Sequence, residues 1–469
     1  MSHRVLPNVT VSPETFPADP DFPQLELARD PARMLRVFRA HLKPVAGKAY
    51  HIEECLPFRF RCRQSTSRCV LQYTLRLRDP RTGRRWDQWV TGLLYARDGE
   101  AERLWRALRA ADPRPEIPED WLTFEPLDFI PDLNMVVEVF PYDRRLPTLA
   151  RVMGGAWRDL DQLLLARLGE GNWQVEERTT DPTRYRTELG AALRYTLKAV
   201  DEQTAATKTL CCYLKVYRDE RGERAFELLR SLAEAPGDGQ RPYATIQPIG
   251  YWRELRTLVV EEAPGTALRQ ALLQRRNPAP AIRAVARAVA AFNQDDLGIV
   301  RRTSRTDQLD DVRLASALVQ WACPAARADV EAITAAVVSG LEDVPPAPIH
   351  GDLKADHIFL AGDRVIFIDL DSAALGDPVR DPAHLFAYLA SGVGLEAMPQ
   401  ERARAVAVAF AEEYFRHVRG SWRQRFPLHC AGALIEVASG IFRRQEPQWQ
   451  QNVAAAIAAA RTCLSGWPW

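Results

Sequence analysis

Apolar and polar residues alternate along two separate stretches of the chain in the way that antiparallel strands require. Residues 59–79 and residues 184–201 each carry an arginine-rich entry, an apolar run, the triplet Tyr-Thr-Leu and a polar turn. A side-chain period of two is typical of strands that bury one face. Both stretches are therefore predicted to form the strands of a hairpin.

The likeness between these two stretches continues downstream. Residues 91–108 and 213–232 each read as a strand that ends in tyrosine, a charged turn and an amphipathic helix. Residues 134–149 and 256–272 each read as a strand, a short loop with proline and the start of a helix. The order strand–strand–strand–helix–strand thus occurs twice, and we favour an internal duplication over a chance likeness of two strand-rich units.

The remaining pattern is mostly helical. Residues 149–170 predict helices that join the two copies, and helical periodicity dominates from Thr266 onward. One strand-like island interrupts it at 349–378, where two short apolar runs flank a turn at 361–363, which predicts a hairpin. Residues 1–27 are rich in proline and aspartate and predict an arm.

Composition and net charge limit the classes of binding partner that the chain is expected to have. The chain has 469 residues, 46% of them hydrophobic and 26% charged, which is ordinary for a globular protein and suggests roughly two to four structural units. A net charge of +1 with scattered arginines argues against nucleic acid. We find neither an apolar stretch of about 18 residues nor an apolar signal core at the start. We therefore expect a cytoplasmic protein without a membrane partner, and the sequence leaves its oligomeric state open.

Two carboxylates flank the hairpin island. Asp352 lies in a polar loop before one arm, and Asp369 ends the other arm. Because a tight hairpin places its outer ends side by side, the two carboxylates are expected to converge. Oxygen ligands of this kind suit a divalent metal with a phosphate chain, and phosphoryl transfer uses a carboxylate to accept the proton of the attacking hydroxyl.

Lys215 interrupts an apolar, strand-like run of the second copy. The chain has only six lysines, and the first copy has Leu93 at the matching position. An ammonium among apolar residues needs a partner, so Lys215 is a candidate phosphate ligand. A side chain that reaches solvent from an edge strand is the alternative.

The motif His-Gly-Asp-Leu-Lys at 350–354, followed by a hairpin and Ile-Asp-Leu-Asp at 368–371, resembles the aminoglycoside phosphotransferase and choline kinase-like family of the protein-kinase-like superfamily. The resemblance implies a bilobal α+β fold, with a strand-rich N-lobe and a mostly helical C-lobe. The first copy would be an extra cap unit, a degenerate N-lobe copy as in maltokinase-like relatives. The predicted parts are an arm at 1–27, a cap unit at 28–170, an N-lobe at 171–262 and a C-lobe with catalytic loop and acceptor pocket at 263–469.

The same resemblance implies roles for residues around the hairpin. Asp352 matches the catalytic base, Lys354 matches the loop lysine that approaches the transferred phosphate, and His350 would brace the loop. Asp369 matches the principal metal ligand, with Asp371 beside it.

Two positions depart from the family pattern. His357 stands where the family usually places an asparagine as second metal ligand, and imidazole is a poor ligand for Mg²⁺. His357 could favour Mn²⁺, leave one metal instead of two, or mark a weakened enzyme, and Asp356 is an alternative oxygen ligand. Asn293 lies in a segment where many relatives have a histidine. The Gly-Asp-Pro at 376–378 does match the family, and Asp381 after it is expected to hold the loop.

The resemblance also places a nucleotide. Lys215 matches the N-lobe lysine that holds the α- and β-phosphates, and its acidic partner is Glu223 or Glu227, between which spacing does not choose. Glu261 and Ala263 lie on the matching hinge, whose main chain meets adenine. The implied cofactors are ATP, or another nucleoside triphosphate, and Mg²⁺ or Mn²⁺.

The sequence thus predicts an ATP-dependent phosphotransferase that moves the γ-phosphate to a hydroxyl of a small metabolite. A nucleotide-binding pseudokinase with a regulatory or scaffolding role, a structural module and an aminoglycoside-modifying kinase are the alternatives. Residues 383–469 contain six glutamates, no aspartate and nine arginines. A polycationic aminoglycoside would require clustered carboxylates, so a neutral or anionic acceptor such as a sugar fits this segment better.

Overall fold

A computed structural model describes residues 17–60, 67–155, 157–234, 241–445 and 448–466 of the chain. The chain divides into two compact units. The first unit comprises the residues up to Glu223, Ile249–Glu261 and a short segment from Arg443, and the second comprises Arg224–Pro248, Glu262–Phe442 and the residues from Gln448. Residues 1–16 of the predicted arm lie outside the described residues. Among the described residues, every helix is too short or too polar for a membrane span.

The first half of the first unit is a five-stranded antiparallel sheet with three helices. Its elements are α1 (Leu25–Ala28), α2 (Pro31–His41), β1 (His51–Phe60), β2 (Arg68–Arg78), β3 (Arg85–Tyr95), α3 (Glu100–Leu108), β4 (Leu127–Ile130) and β5 (Met135–Val139). The strand order is β1-β2-β3-β5-β4. Helix α2 begins where the Asp30 side chain accepts the backbone N–H groups of Ala32 and Arg33, which satisfies two donors at the helix start.

The next segment repeats this arrangement. Its elements are α4 (Leu149–Gly154), α5 (Arg158–Leu165), β6 (Trp173–Arg186), β7 (Gly190–Asp201), β8 (Thr207–Tyr217), α6 (Arg221–Glu234), β9 (Tyr243–Thr245), β10 (Pro248–Trp252) and β11 (Thr257–Glu261). Apart from β9, the strands form a second sheet in the order β6-β7-β8-β11-β10, which matches the first sheet strand for strand. Each copy has one strand more than the sequence predicts, because β4 and β10 lie between the helix and the last strand.

The repeat extends to the irregular positions. The first hairpin has register shifts at 52/54 and 57/59, and the second has them at 175/177 and 182/184. The first shift of each hairpin is at a matching position, and the second lies two residues further along in the second copy. A left-handed residue precedes the last strand in both sheets, Asn134 with φ 44° and Arg256 with φ 47°. Shared irregularities of this kind support duplication, since strand content alone does not demand them.

The two sheets share one hydrophobic core within the first unit. Phe140 and Leu146, which follow β5, pack in the same cluster as Leu193 of β7 and Tyr185 of β6. The ring of Trp89 on β3 stacks on Tyr185 at a centroid distance of 5.8 Å. The first copy therefore contacts the second through a continuous apolar surface. The division of the chain into a cap at 28–170 and an N-lobe at 171–262 stays a prediction.

A buried charge network joins the sheets beside this core. Glu188, at the turn between β6 and β7, has φ 62° and accepts two hydrogen bonds from Arg68, at 2.8 and 2.7 Å, and one from Arg144 at 2.7 Å. Its backbone N–H donates to the buried carboxylate of Asp143 at 2.7 Å. Arg144 also lies 3.5 Å from the Glu138 carboxylate on β5.

The second unit is mostly helical. Its remaining elements are β12 (Thr266–Ala267), α7 (Leu268–Gln274), α8 (Ala279–Phe292), α9 (Arg305–Ala322), α10 (Arg327–Gly340), β13 (Ala347–Ile349), β14 (Ile358–Ala361), β15 (Arg364–Phe367), β16 (Ala374–Gly376), α11 (Arg380–Ser391), α12 (Gln400–Arg416), α13 (Gly420–Arg444) and α14 (Trp449–Leu464). The predicted hairpin is β14 and β15, which pair with β12 and β9 in the order β12-β14-β15-β9. Strand β13 pairs with β16.

Glu138 gives the buried network a measurable pH dependence. Burial raises the pKa of Glu138 to about 8, and the nearby Asp143 adds to the effect while Arg144 opposes it. The folded protein therefore keeps a proton that the unfolded chain releases above its ordinary pKa of 4.5, so stability is lost as the pH rises from there toward 8. We expect Glu138→Gln to gain roughly 2–4 kcal/mol over wild type between pH 5 and pH 8.5. Urea unfolding of both proteins at several pH values measures this, and a difference that stays constant with pH contradicts it.

Candidate active site

The two ends of the β14–β15 hairpin bring the predicted carboxylates together. Ile358 lies opposite Phe367 in the ladder, and the N–H of Ile368 donates to the carbonyl of His357 at 3.0 Å. Asp369 follows directly, in the left-handed conformation with φ 63°. Ligand atoms of Asp352, His357 and Asp369 all lie within 4.8 Å of one another, so the predicted convergence is present.

A buried carboxylate fixes the loop that carries Asp352. Asp381, at the start of α11, accepts the backbone N–H of His350 at 2.6 Å and that of Gly351 at 3.0 Å. Asn293, after α8, donates to the same carboxylate at 3.0 Å and to the carbonyl of Pro348 at 2.8 Å. Asp381 therefore has the loop-holding contacts that the sequence indicates.

His350 and Gly351 tie this loop to the segment after β15. The Nε2 of His350 donates to the carbonyl of Ile368 at 2.9 Å, so the ring spans the two halves of the site. Gly351 has φ 79°, and a Cβ built there would lie 2.5 Å from the carbonyl oxygen of Ser372. Only glycine fits this close approach of two backbone segments.

The electrostatics around Asp352 favour the ionised carboxylate. Burial opposes ionisation, but the ammonium of Lys354, which donates to Asp352 at 2.8 Å, and the neighbouring His357 lower the pKa of Asp352 to about 2. At neutral pH the group is a carboxylate that can accept a hydrogen bond from a hydroxyl. Its side chain is 34% exposed, so the outer face remains open to a ligand.

His357 is oriented as a ligand. Its Nδ1 lies 2.9 Å from the carbonyl oxygen of Asp352, which can only accept, so Nδ1 carries a proton. Burial lowers the pKa of His357 to about 3, despite the opposing charge of Asp369, so the neutral ring leaves a lone pair on Nε2. That lone pair faces an oxygen of Asp369 at 3.1 Å. Two acceptors at this distance suit a shared cation, and the residues present therefore fit a divalent metal.

Two further candidates lie apart from this trio. Asp371 is in the helical turn after Asp369, where its carbonyl accepts from Arg301 at 3.0 Å, and it is outside the set of converging ligands. Asp356, the alternative oxygen ligand, is exposed and lies 4.0 Å from Arg269.

The candidate nucleotide residues occupy the elements expected of them. Lys215 is on β8, half-buried, with its ammonium 5.8 Å from the ring centroid of Tyr217. Glu223 on α6 is hydrogen-bonded to Arg253, and Glu227 on the same helix is exposed. Which of the two pairs with Lys215 stays a prediction.

The predicted hinge residues are found on either side of a strand end. Glu261 is the last residue of β11, where it pairs with Cys212 of β8, and its side chain accepts from Arg167. Ala263 lies in the loop that follows. Their contacts with adenine stay predictions.

Supporting contacts of the site were not apparent in the sequence. His384 on α11 donates from Nδ1 to the carbonyl of Leu353 at 2.9 Å. The carboxylate of Asp377 accepts hydrogen bonds from Arg425 and His429 of α13. Burial alone would raise the pKa of Asp377, but these contacts hold it well below the usual range. The Gly-Asp-Pro motif singled out Asp377 in the sequence. Its partners lie about fifty residues away, where the helical pattern does not indicate which side chains contact the motif.

Comparison with known proteins identifies the family. The family model described as "phosphotransferase enzyme family" matches residues 181–424, just over half of the chain. A search of curated proteins finds no match.

Several solved structures are similar at low identity. The ADP-bound aminoglycoside phosphotransferase APH(2'')-Ib is 13% identical, with a TM-score of 0.38, covering 65% of this chain and 98% of its own. A choline/ethanolamine kinase family protein from Mesorhizobium loti is 16% identical, with a TM-score of 0.39, covering 58% and 85%. The ethanolamine kinase of Plasmodium vivax is 11% identical, with a TM-score of 0.40, covering 68% and 95%. On the family match, the chain belongs to the phosphotransferase enzyme family, as its HGD loop and the α+β, kinase-like order of its elements predict.

Proposed function

We propose that the chain transfers the γ-phosphate of ATP, or of another nucleoside triphosphate, to a hydroxyl of a small metabolite. The observation that carries the proposal is the convergence of Asp352, His357 and Asp369 at the two ends of one hairpin. Phosphoryl transfer depends mainly on positioning and on compensation of negative charge, and this arrangement offers both.

Asp352 is the proposed base. Its carboxylate is ionised and accepts the hydrogen bond of the attacking hydroxyl, which orients the oxygen toward the γ-phosphorus. The oxygen–phosphorus bond forms as the bond to the leaving diphosphate breaks, and the hydroxyl proton passes to Asp352. Lys354 lies 2.8 Å from Asp352 and is positioned to hold charge on the transferred group.

His357 and Asp369 are the proposed metal ligands. A divalent cation bound to them would neutralise phosphate oxygens. The Nδ1–H bond to the carbonyl of Asp352 keeps the imidazole in the tautomer that presents Nε2 to the ion. A nitrogen ligand favours Mn²⁺ over Mg²⁺, which prefers oxygen.

Lys215 is the proposed ligand of the α- and β-phosphates, and Glu261 and Ala263 are the proposed hinge contacts of adenine. The duplication supports the assignment of Lys215, because the equivalent residue of the first sheet, Leu93, is completely buried among apolar side chains. The fold accepts an apolar residue there, so the lysine is not required by the strand itself.

We propose a neutral or anionic acceptor, such as a sugar, rather than an aminoglycoside. The glutamates of the C-terminal segment do not form a free acidic cluster among the described residues. Glu413 is bonded to Arg287, Arg416 and His417. Glu436 is half-buried, and burial raises its pKa although Arg380 opposes the effect. Glu396, Glu401 and Glu412 are exposed, but they belong to no group of converging acidic side chains in the part of the chain that the structure describes.

Asp352→Asn tests the base assignment. The change keeps the shape of the side chain but removes proton acceptance, so we expect turnover to fall by about 10²–10⁴-fold with little loss of thermal stability. Labelled ATP and a metabolite extract, with sugars and aminoglycosides as defined acceptors, provide the assay. Asp363→Asn, in the exposed turn of the β14–β15 hairpin, is the matched control.

Each outcome of that assay discriminates between functions. Turnover that survives Asp352→Asn contradicts the base. Nucleotide binding by wild type without turnover of any acceptor favours the pseudokinase. Turnover with aminoglycosides alone contradicts the sugar-like acceptor.

His357→Asn tests the metal site by binding as well as by rate. Restoring the amide oxygen should lower the preference for Mn²⁺ over Mg²⁺ by about tenfold, or roughly 1.4 kcal/mol, because Mg²⁺ gains an oxygen ligand. Titration of Mn²⁺ by electron paramagnetic resonance, with Mg²⁺ as competitor, measures the preference without turnover. Asp369→Asn should weaken both ions. An unchanged ratio in His357→Asn shows that the imidazole is not a ligand.

A further inference from the structure

A groove in the first unit is lined almost entirely by arginine. Its volume is about 320 Å³, and its lining residues are Arg144, Arg145, Pro147, Arg218, Asp219 and Arg256. The lining thus carries four guanidinium groups and one carboxylate. Like charges around one volume repel each other unless an anion compensates them.

The single carboxylate of the groove is already engaged. Asp219 accepts from the Nε of Arg218 at 3.2 Å, and from the Nε and the backbone N–H of Arg221 at 2.8 and 3.1 Å. Arg145 is exposed, and its side chain has no acidic partner among the described residues. The groove therefore retains positive charge that its own acid does not neutralise.

Arg144 is held in place at the inner side of the groove. Its side chain is only 11% exposed, because Glu188 binds it at 2.7 Å and Glu138 lies at 3.5 Å. A guanidinium that is fixed before a ligand arrives loses little side-chain entropy on binding.

The repeated fold shows that Arg256 is not needed for the backbone turn. Tyr95 donates its backbone N–H to the carbonyl of Asn134 at 3.1 Å, and Tyr217 donates in the same way to Arg256 at 3.0 Å. Both acceptors are left-handed, a conformation that asparagine tolerates better than arginine. The first sheet thus builds the same turn with a neutral residue.

An arginine follows the strand in both copies. Arg218 follows Tyr217 directly, and Arg97 follows Tyr95 after one intervening residue, Ala96. Arg256 donates from Nη1 to the carbonyl of Arg218 at 2.7 Å, which keeps the two arginines close together. In the first copy the side chain of Asn134 donates to the carbonyl of Arg97 at 2.8 Å in the same way. The second copy therefore differs from the first by one added cation at this turn, Arg256.

We propose that this groove binds an anion that bears a phosphate group. Guanidinium groups match phosphate oxygens with paired hydrogen bonds, and a dianion compensates more of the excess charge than a carboxylate can. The volume is large enough for a small phosphate ester as well as for inorganic phosphate. None of the proposed catalytic or metal-binding residues lines the groove.

Calorimetric titration of the full chain at constant ionic strength tests this site, with inorganic phosphate and glucose 6-phosphate as separate probes. The variant is Arg145→Ala combined with Arg256→Asn, in which asparagine preserves the left-handed turn as it does at Asn134. We expect a saturable wild-type site whose affinity falls by about ten- to a hundredfold in this variant. Arg36→Ala, an exposed arginine on α2, is the matched control and should bind as wild type does.

Lys215→Ala separates this groove from a nucleotide site, because phosphate binding in the groove should survive that change. Tighter binding of the ester than of inorganic phosphate identifies an ester as the ligand, and the reverse identifies the free ion. The proposal is overturned if wild type shows no saturable binding, if the double variant binds as wild type does, or if only Lys215→Ala loses binding.

Discussion

The buried carboxylate of Asp381 is the contact on which the candidate active site depends. It accepts two successive backbone N–H groups of the loop, from His350 and Gly351, and a side-chain N–H of Asn293. Three donors around one buried carboxylate compensate the hydrogen bonds that it would make to water. Because the loop has no freedom at these positions, the next residue, Asp352, is presented in a fixed direction.

Two histidine side chains hold the neighbouring segments through hydrogen bonds to backbone carbonyls. His350 bonds to the carbonyl of Ile368, and His357 bonds to the carbonyl of Asp352. Each histidine thus orients a segment that carries a carboxylate, Asp369 in one case and Asp352 in the other. The two rings stack at a centroid distance of 5.9 Å, so the orientation of one restricts the other. Because the acceptors are backbone carbonyls, the two carboxylates are oriented without another charged side chain inside the site.

Much of this arrangement could be predicted from the sequence, because hairpins and motifs depend on neighbours along the chain. The pairing of β14 with β15 and the duplicated strands follow from local alternation of side chains. The contact of Asn293 with Asp381 could not be predicted, because the two residues are 88 positions apart. The contacts of Asp377 with Arg425 and His429 could not be predicted for the same reason. The extra strands β4 and β10 were also not predicted, because they are only four and five residues long and lack a run of alternating residues.

The tautomer of His357 could not be read from sequence either. At that position asparagine offers a metal an oxygen ligand, whereas histidine offers a nitrogen. The sequence left three consequences open: a preference for Mn²⁺, a single metal ion, and a weakened enzyme. The carbonyl of Asp352 decides which nitrogen carries the proton, and only the backbone path of the loop shows that this carbonyl faces Nδ1. The departure from asparagine is therefore compatible with a working metal ligand, since the ring offers one lone pair in the direction of Asp369.

The duplicated sheets show how one fold acquires different chemistry at matching positions. Leu93 and Lys215 occupy the same strand position, and Asn134 and Arg256 the same turn, yet the strand order and the left-handed turn conformation are unchanged. A backbone that tolerates both an apolar and a charged residue does not select the charged one for stability. The cations of the second copy therefore require another explanation, and the anion binding that we propose would supply it for the strand as well as for the turn. The first copy contributes packing to the shared core, and its Arg68 and Glu138 belong to the charge network around Glu188.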